Sequence, residues 1–286
     1  MSINRVGDGF HVKPVFADMA FTEKVSPFLM FDFAEPKHFP RTEKKLGVGQ
    51  HPHRGFETVT IAFKGEVEHG DSEGNRGVIG EGDVQWMTAA RGIIHEEFHS
   101  RKFAQTGGEF SMAQIWVNLP KKYKMIKPSY QPILKKQIAE VSLGKDGCVA
   151  RVIAGNCNGT KGPATTHSPL NMWDVRLADD KVVDLKIPKS HNAILFVRSG
   201  GLNVFENDEK DSTPRKLQQS QVLLLPPGDG DTIRISARDG DSKVLLLSGE
   251  PIDEPIAAQG PFVMNTREEI RQAWDDFYSG RLGKHF

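Results

Sequence analysis

Two short stretches decide how this chain is read: His51-Pro52-His53-Arg54-Gly55-Phe56-Glu57 and Gly92-Ile93-Ile94-His95-Glu96-Glu97. Side chains alternate between the two faces of an extended strand, so His51 and His53 share a face, as do His95 and Glu97. If the hairpins between them bring the strands together, three imidazoles and one carboxylate surround a single point. Nitrogen and oxygen donors of that kind suit a divalent transition metal, whether iron, nickel, copper, manganese or zinc. A lone strand histidine is ordinarily a hydrogen-bonded structural residue. Two pairs at i,i+2 spacing arise far less often by chance, which favours the ligand reading.

The sequence around these stretches reads as β structure. Apolar runs are short, alternating and rich in Val, Ile, Leu and Phe, with Gly and Pro between them, which predicts a sandwich or barrel. Strands are expected at 28–33, 56–63, 66–69, 84–88, 93–98 and 110–118. Residues 119–147, with Pro120, Pro128, Pro132 and the run Lys121-Lys122-Tyr123-Lys124, break that rhythm and are expected to be a linker holding at most a short strand. A second strand-rich half follows, at 149–153, 172–177, 182–187, 193–197, 202–205, 221–225, 232–235 and 244–247. This gives an all-β chain of two domains, residues 1–118 and 148–286, with the faint symmetry of an internal duplication. One helix is predicted, at 266–279: Thr266 and Glu269 fit a capping box, Ile270, Trp274 and Phe277 fall on one face, and Gly280 stops it. Its apolar stripe should pack on a sheet, either in its own half or by bridging back to the first.

Composition narrows the function. Among 286 residues, 37 Lys and Arg balance 37 Asp and Glu, and no basic helix with interleaved aromatics appears, which argues against direct nucleic-acid binding. The N-terminus lacks the apolar run of a signal peptide, and no stretch approaches the length of a membrane span. Cys148 and Cys157 are too few for a disulfide framework and are expected to be buried free thiols. A cytoplasmic protein is expected.

The motif spacing resembles that of cupin barrels (double-stranded β-helices, or jelly rolls). Those carry a His-x-His with a downstream Glu and Gly, then a Pro-x-Gly-x-x-His. Here His51 and His53 are followed by Glu57 and Gly65, Gly92 and His95 supply the second motif, and 41 residues separate His53 from His95. The proline slot is Ala90, and a carboxylate, Glu97, sits on the strand face of His95. That last departure makes the chain similar to the pirin family, as do Asp83 to Ala89, Gln114 to Leu119 and Gly260 to Thr266. The resemblance covers nearly the whole length. It implies two cupin barrels with a C-terminal helix, and one metal per chain, usually Fe(II), held by His51, His53, His95 and Glu97 in the first barrel. Nickel, manganese, copper and zinc suit the same donors.

In the second half the corresponding motif ends in Asp231 rather than histidine, and His167 has no second histidine two residues on, so no metal is expected there. Glu57 is expected to orient an imidazole or close the strand, and Arg54 to form a salt bridge. His99 should lie past the cavity rim and His69 in solvent at a turn. Trp86, Met87, Phe56 and Phe110 are either core or the lining of an apolar mouth.

Bacterial pirin-like proteins are associated with quercetin 2,3-dioxygenase activity, so the resemblance implies a flavonol substrate, dioxygen, and release of carbon monoxide. Glu97 would be the catalytic proton acceptor. It also implies a rival role, a non-catalytic regulator whose iron oxidation state controls binding to a transcription factor or metabolic enzyme. Residues near 121–124 and 206–210 would then be contact segments. Other cupin chemistry, such as isomerisation, is a third reading. The chain is expected to be a monomer.

Overall fold

The computed structural model describes residues 4–17, 22–205, 213–228 and 230–286, so the expected contact segment 206–210 lies outside the described residues. The chain divides into two compact units. Phe28–Lys135, Ile252–Phe286 and the N-terminal strands form the first, and Lys136–Pro251 with the short helix Thr22–Val25 forms the second.

The first unit holds β1 (Asn4–Val6), β2 (Phe10–Phe16), β3 (Phe28–Phe39), β4 (Gly47–His53), β5 (Phe56–Lys64), β6 (Val67–Asp71), β7 (Arg76–Ile79), β8 (Val84–Thr88), β9 (Ile93–His99), β10 (Gly108–Asn118) and β11 (Ser129–Ile133). They make a seven-stranded sheet, β1-β2-β3-β10-β5-β8-β11, and a four-stranded sheet, β4-β9-β6-β7, antiparallel throughout. Ala34, Ala62 and Met112 from the larger sheet pack with Val67 and Ile79 from the smaller, together with Phe10, Phe39, Phe103 and Phe110. Even-numbered residues of β5 and β10 therefore face the barrel interior, and the period of two carries that face on to Thr58, Thr60, Gln114 and Trp116; β3 joins them through Ala34 and, beyond a register shift, Phe39. The cluster closes one end with apolar side chains and leaves the interior beyond it polar.

The second unit is built on one large antiparallel sheet. Its core joins Trp173, Val175, Leu195, Val197, Leu202, Ile235, Val244 and Leu246. Runs read as separate strands at 193–197 and 202–205 belong to one strand, Asn192–Phe205, and those at 232–235 and 244–247 to another, Thr232–Gly249. The first continues through register shifts at Val197/Ser199 and Ser199/Gly201, so the glycines bend it without ending it. Cys148 and Cys157 are buried free thiols.

Two domain boundaries differ from expectation. The proposed linker is not one: β11 pairs along the whole of β8, and residues up to Lys135 belong to the first unit. The segment Ile252–Phe286, expected to end the second domain, groups with the first unit, the second of the two placements open to its helix. Its helix runs Arg267–Tyr278 with the expected capping box, Thr266 accepting from the Glu269 amide and Glu269 from the Thr266 amide. Ile270, Trp274 and Phe277 pack with Phe262, Met264 and Leu282. Arg54 forms the expected ion pair with Asp276 of this helix, 2.7 Å away and nearly buried. The corner between β4 and β5 needs a glycine: Gly55 has φ +90°, and a Cβ there would lie 1.9 Å from the Val263 carbonyl oxygen.

Candidate metal centre

β4 and β9 pair side by side, with His51 opposite His95 and His53 opposite Ile93. A register shift between Val48 and His51 re-aims β4 just ahead of the first histidine. The three rings converge: His51 lies 4.2 Å from His95 and 4.8 Å from His53, centroid to centroid, and His53 lies 4.9 Å from His95. One nitrogen from each lies within 4.8 Å of the others, the one such group of metal-capable side chains among the described residues.

These rings fit a metal. His53 Nδ1 and both nitrogens of His95 are buried without a hydrogen-bond partner among the described residues, an arrangement that costs free energy unless something binds there. His51 donates from Nδ1 to the Gly49 carbonyl at 2.8 Å, which fixes its tautomer and leaves the Nε2 lone pair available. Burial lowers the pKa of His95 well below the ordinary imidazole value, helped by His51, His53 and His69. Burial and His51 do the same for His53, against an opposing hydrogen bond that its ring donates to the Pro261 carbonyl. Neutral imidazoles with free lone pairs are what coordination requires.

Glu97 is buried on β9, on the face of His95, but it does not join the three-histidine group. Its Oε1 accepts from Thr60 Oγ1 at 3.1 Å and from the Gln85 amide in a short contact. Oε2 makes no hydrogen bond among the described residues. Aromatic rings line the same interior: Trp116 lies 5.3 Å from His53 and 4.3 Å from Phe56, and its exposure is intermediate.

Several neighbours stand apart from expectation. His69 is buried, not solvated; its position opposite Glu97 on β6 turns it into the barrel, where its Nε2 meets Asp71 at 3.0 Å. His99 is also buried, in a box of Phe10, Phe39, Phe103 and Phe110, and burial lowers its pKa to about 4. Trp86, Met87, Phe56 and Phe110 are all buried core residues. Tyr130, in the segment expected to be a linker, stacks on His69 at 4.5 Å. Its signal was the Ser129-Tyr130-Gln131 alternation after Pro128.

Glu57 points to the opposite face of β5 from Thr58 and Thr60, and accepts from Thr88 Oγ1 at 2.7 Å. Full burial raises its pKa to about 7, against the lowering hydrogen bond from Thr88. A proton held more tightly when folded stabilises the protein below about pH 4.5, and that stability is lost as pH rises through about 7. Glu57→Gln should therefore unfold with a flatter pH dependence over this window. At pH 8 it should gain on the order of 3 kcal/mol over the parent, read by urea denaturation. A parent and variant of equal stability at pH 5 and pH 8 would show that Glu57 ionises freely.

Fold and site together define a two-barrel cupin protein with a three-histidine cluster in its first barrel. A pirin family profile matches residues 9–117, and a profile for the pirin C-terminal cupin domain matches residues 172–283. A Pseudomonas aeruginosa protein, provisionally named quercetin 2,3-dioxygenase, is 50% identical over 278 residues, 97% of this chain and 93% of its own. Pirin of Rattus norvegicus is 35% identical over 91% of this chain and 83% of its own. The crystal structure of a quercetin 2,3-dioxygenase from Acinetobacter baumannii superposes with a TM-score of 0.93 at 45% identity, covering 99% of this chain and 96% of that one. The chain belongs to the pirin family.

Proposed function

We propose that this protein is a metal-dependent dioxygenase that opens flavonols such as quercetin in the 2,3-dioxygenase manner. The carrying observation is the convergence of His51, His53 and His95 with buried, unpartnered nitrogens inside the first barrel. Relatives at 50% and 45% identity named for this activity supply the substrate class. His51, His53 and His95 would hold the ion, Fe(II) in the first instance, with Glu97 Oε2 as a fourth donor. A bound divalent ion of this type supplies Lewis acidity toward an oxygen donor and a route for electrons to dioxygen.

The chain's own residues set up the rest. The neutral imidazoles leave the site a net positive charge once filled, which favours a phenolate over a phenol. Glu97, buried on the strand face of His95, accepts the flavonol hydroxyl proton, while the Gln85 amide holds Oε1. Trp116 offers a flat apolar wall beside His53 for the aromatic rings of the substrate. The apolar plug of Phe10, Phe39, Phe103 and Phe110 keeps the far end of the barrel dry.

Anaerobic reconstitution with Fe(II), then oxygen uptake and carbon monoxide release over a flavonol panel, tests this reading. The parent should consume oxygen with at least one flavonol and release carbon monoxide. Glu97→Gln should turn over roughly 100-fold slower or worse, as expected when a positioned base is lost. No flavonol-dependent uptake with any of the five metals, or equal rates for parent and variant, would overturn the assignment.

A further inference from the structure

The geometry points to Tyr130 and Gln85 as positioning residues that act in series to set the Glu97 carboxylate toward the metal centre. This rests on the reading of Glu97 as a metal donor given above. The hydrogen bonds run in one direction. Tyr130 donates its hydroxyl to Gln85 Oε1 at 3.3 Å, and Gln85 donates from Nε2 to Glu97 Oε1 and, at 3.1 Å, to Thr60 Oγ1.

Gln85 is the donor on which Glu97 depends. The Thr60 hydroxyl has one proton and two acceptors in range, Gln114 Oε1 at 2.7 Å and Glu97 Oε1 at 3.1 Å. The shorter bond claims it, so Thr60 contributes little to Glu97. Gln85 has two amide protons and spends one on the carboxylate. A buried amide has two orientations, however, and only one presents nitrogen to Glu97; the other sets oxygen against oxygen. The carboxylate, which only accepts, calls for the nitrogen, and Tyr130 reinforces that orientation by donating to the amide oxygen. Burial, with Glu97 and Asp71 nearby, raises the pKa of the phenol, so that it keeps its proton and stays a donor.

Tyr130 is itself held. It stacks on the His69 ring at 15° between planes, and His69 is fixed through Nε2 to Asp71, whose carboxylate also takes bonds from Asn75. The row reaches the centre from β11, β8 and β6, three strands that contribute no ligand. A carboxylate pinned at Oε1 presents Oε2 in one orientation, and loss of such an outer support costs metal affinity.

The test is a chelator competition that measures the affinity of the apoprotein for Co(II) or Fe(II), in the parent and in Tyr130→Phe, Gln85→Met, the double variant and Glu97→Gln. Tyr130→Phe should weaken binding roughly tenfold and Gln85→Met by roughly 10–100-fold. The double variant should bind no worse than Gln85→Met alone, because the phenol acts only through the amide. Melting of the metal-free proteins shows that each variant is folded, and the half-buried Tyr130→Phe stands if Gln85→Met does not. Affinities within twofold of the parent for Tyr130→Phe, or strictly additive losses in the double variant, would overturn the series arrangement while leaving Glu97 as a ligand. An unchanged affinity for Glu97→Gln would overturn both.

Discussion

Metal-free His95→Ala protein is expected to show no rise in melting temperature on addition of a divalent ion, while the parent rises by about 5 °C or more. An ion that binds only the folded state stabilises it by about 2.7 kcal/mol at a hundredfold excess over Kd, and each kcal/mol moves a domain of this size by about 2–4 °C. His95 is the ligand with the most at stake. It is fully buried, neither nitrogen has a hydrogen-bond partner among the described residues, and it sits between His51 and His53. Removing an outer support of a ligand already costs 10–100-fold in affinity, so removing the ligand should cost more than about 100-fold. Thermal melts with and without Co(II), supported by chelator competition, read both numbers. A His95→Ala protein stabilised by the ion as much as the parent would mean that the cluster is not the binding site.

The second large effect is expected far from any ligand. Lys124→Met should lose about 2–5 kcal/mol of stability at pH 7. The Lys124 ammonium is buried and donates to the Gly55 carbonyl at 2.7 Å, Asn118 Oδ1 at 2.7 Å and the Val263 carbonyl at 2.9 Å. The variant leaves three acceptors in the interior without that donor, at about 1–3 kcal/mol for each one that finds no other partner. Burial lowers the Lys124 pKa to about 7, opposed by Glu254 and Glu269. The folded protein releases this proton from about pH 7 while the unfolded chain holds it to about 10.5. This lysine therefore makes the parent gain stability between those values, and the variant should lack that gain.

The loss should reach the metal centre as well. Gly55 lies two residues after His53, and Val263 two residues after Pro261, whose carbonyl meets His53. Urea denaturation of metal-free protein, with metal affinity measured alongside, checks both. A change under about 0.5 kcal/mol would show that the three acceptors find other partners.

The contrast between His95 and Lys124 shows what the sequence makes legible. The ligand histidines are visible because their geometry is local: i,i+2 spacing fixes a shared face once the strand is granted. The capping box at Thr266 and Glu269 is local too, and it appears as read. Lys124 sits among prolines and lysines and has the composition of an exposed connector. It is buried only because carbonyls 69 and 139 residues away in the chain turn toward it. His69 misleads for a related reason. Asp71 does begin a turn, its Oδ1 taking the Glu73 and Asn75 amides, but the pairing of β6 with β9 decides which way His69 faces. Placement of the C-terminal helix also depends on long-range partners, Arg54 above all, that no sequence window contains. What distant backbone decides was hidden; what strand alternation decides was plain.

The most direct test is the metal stoichiometry of the reconstituted chain, measured by elemental analysis after anaerobic loading with Fe(II) and removal of excess ion. One ion per chain is expected in the parent, and none in a triple variant His51→Ala, His53→Ala, His95→Ala that still unfolds cooperatively. Two ions per chain, or one ion retained by the folded triple variant, would contradict a single centre built on those three imidazoles.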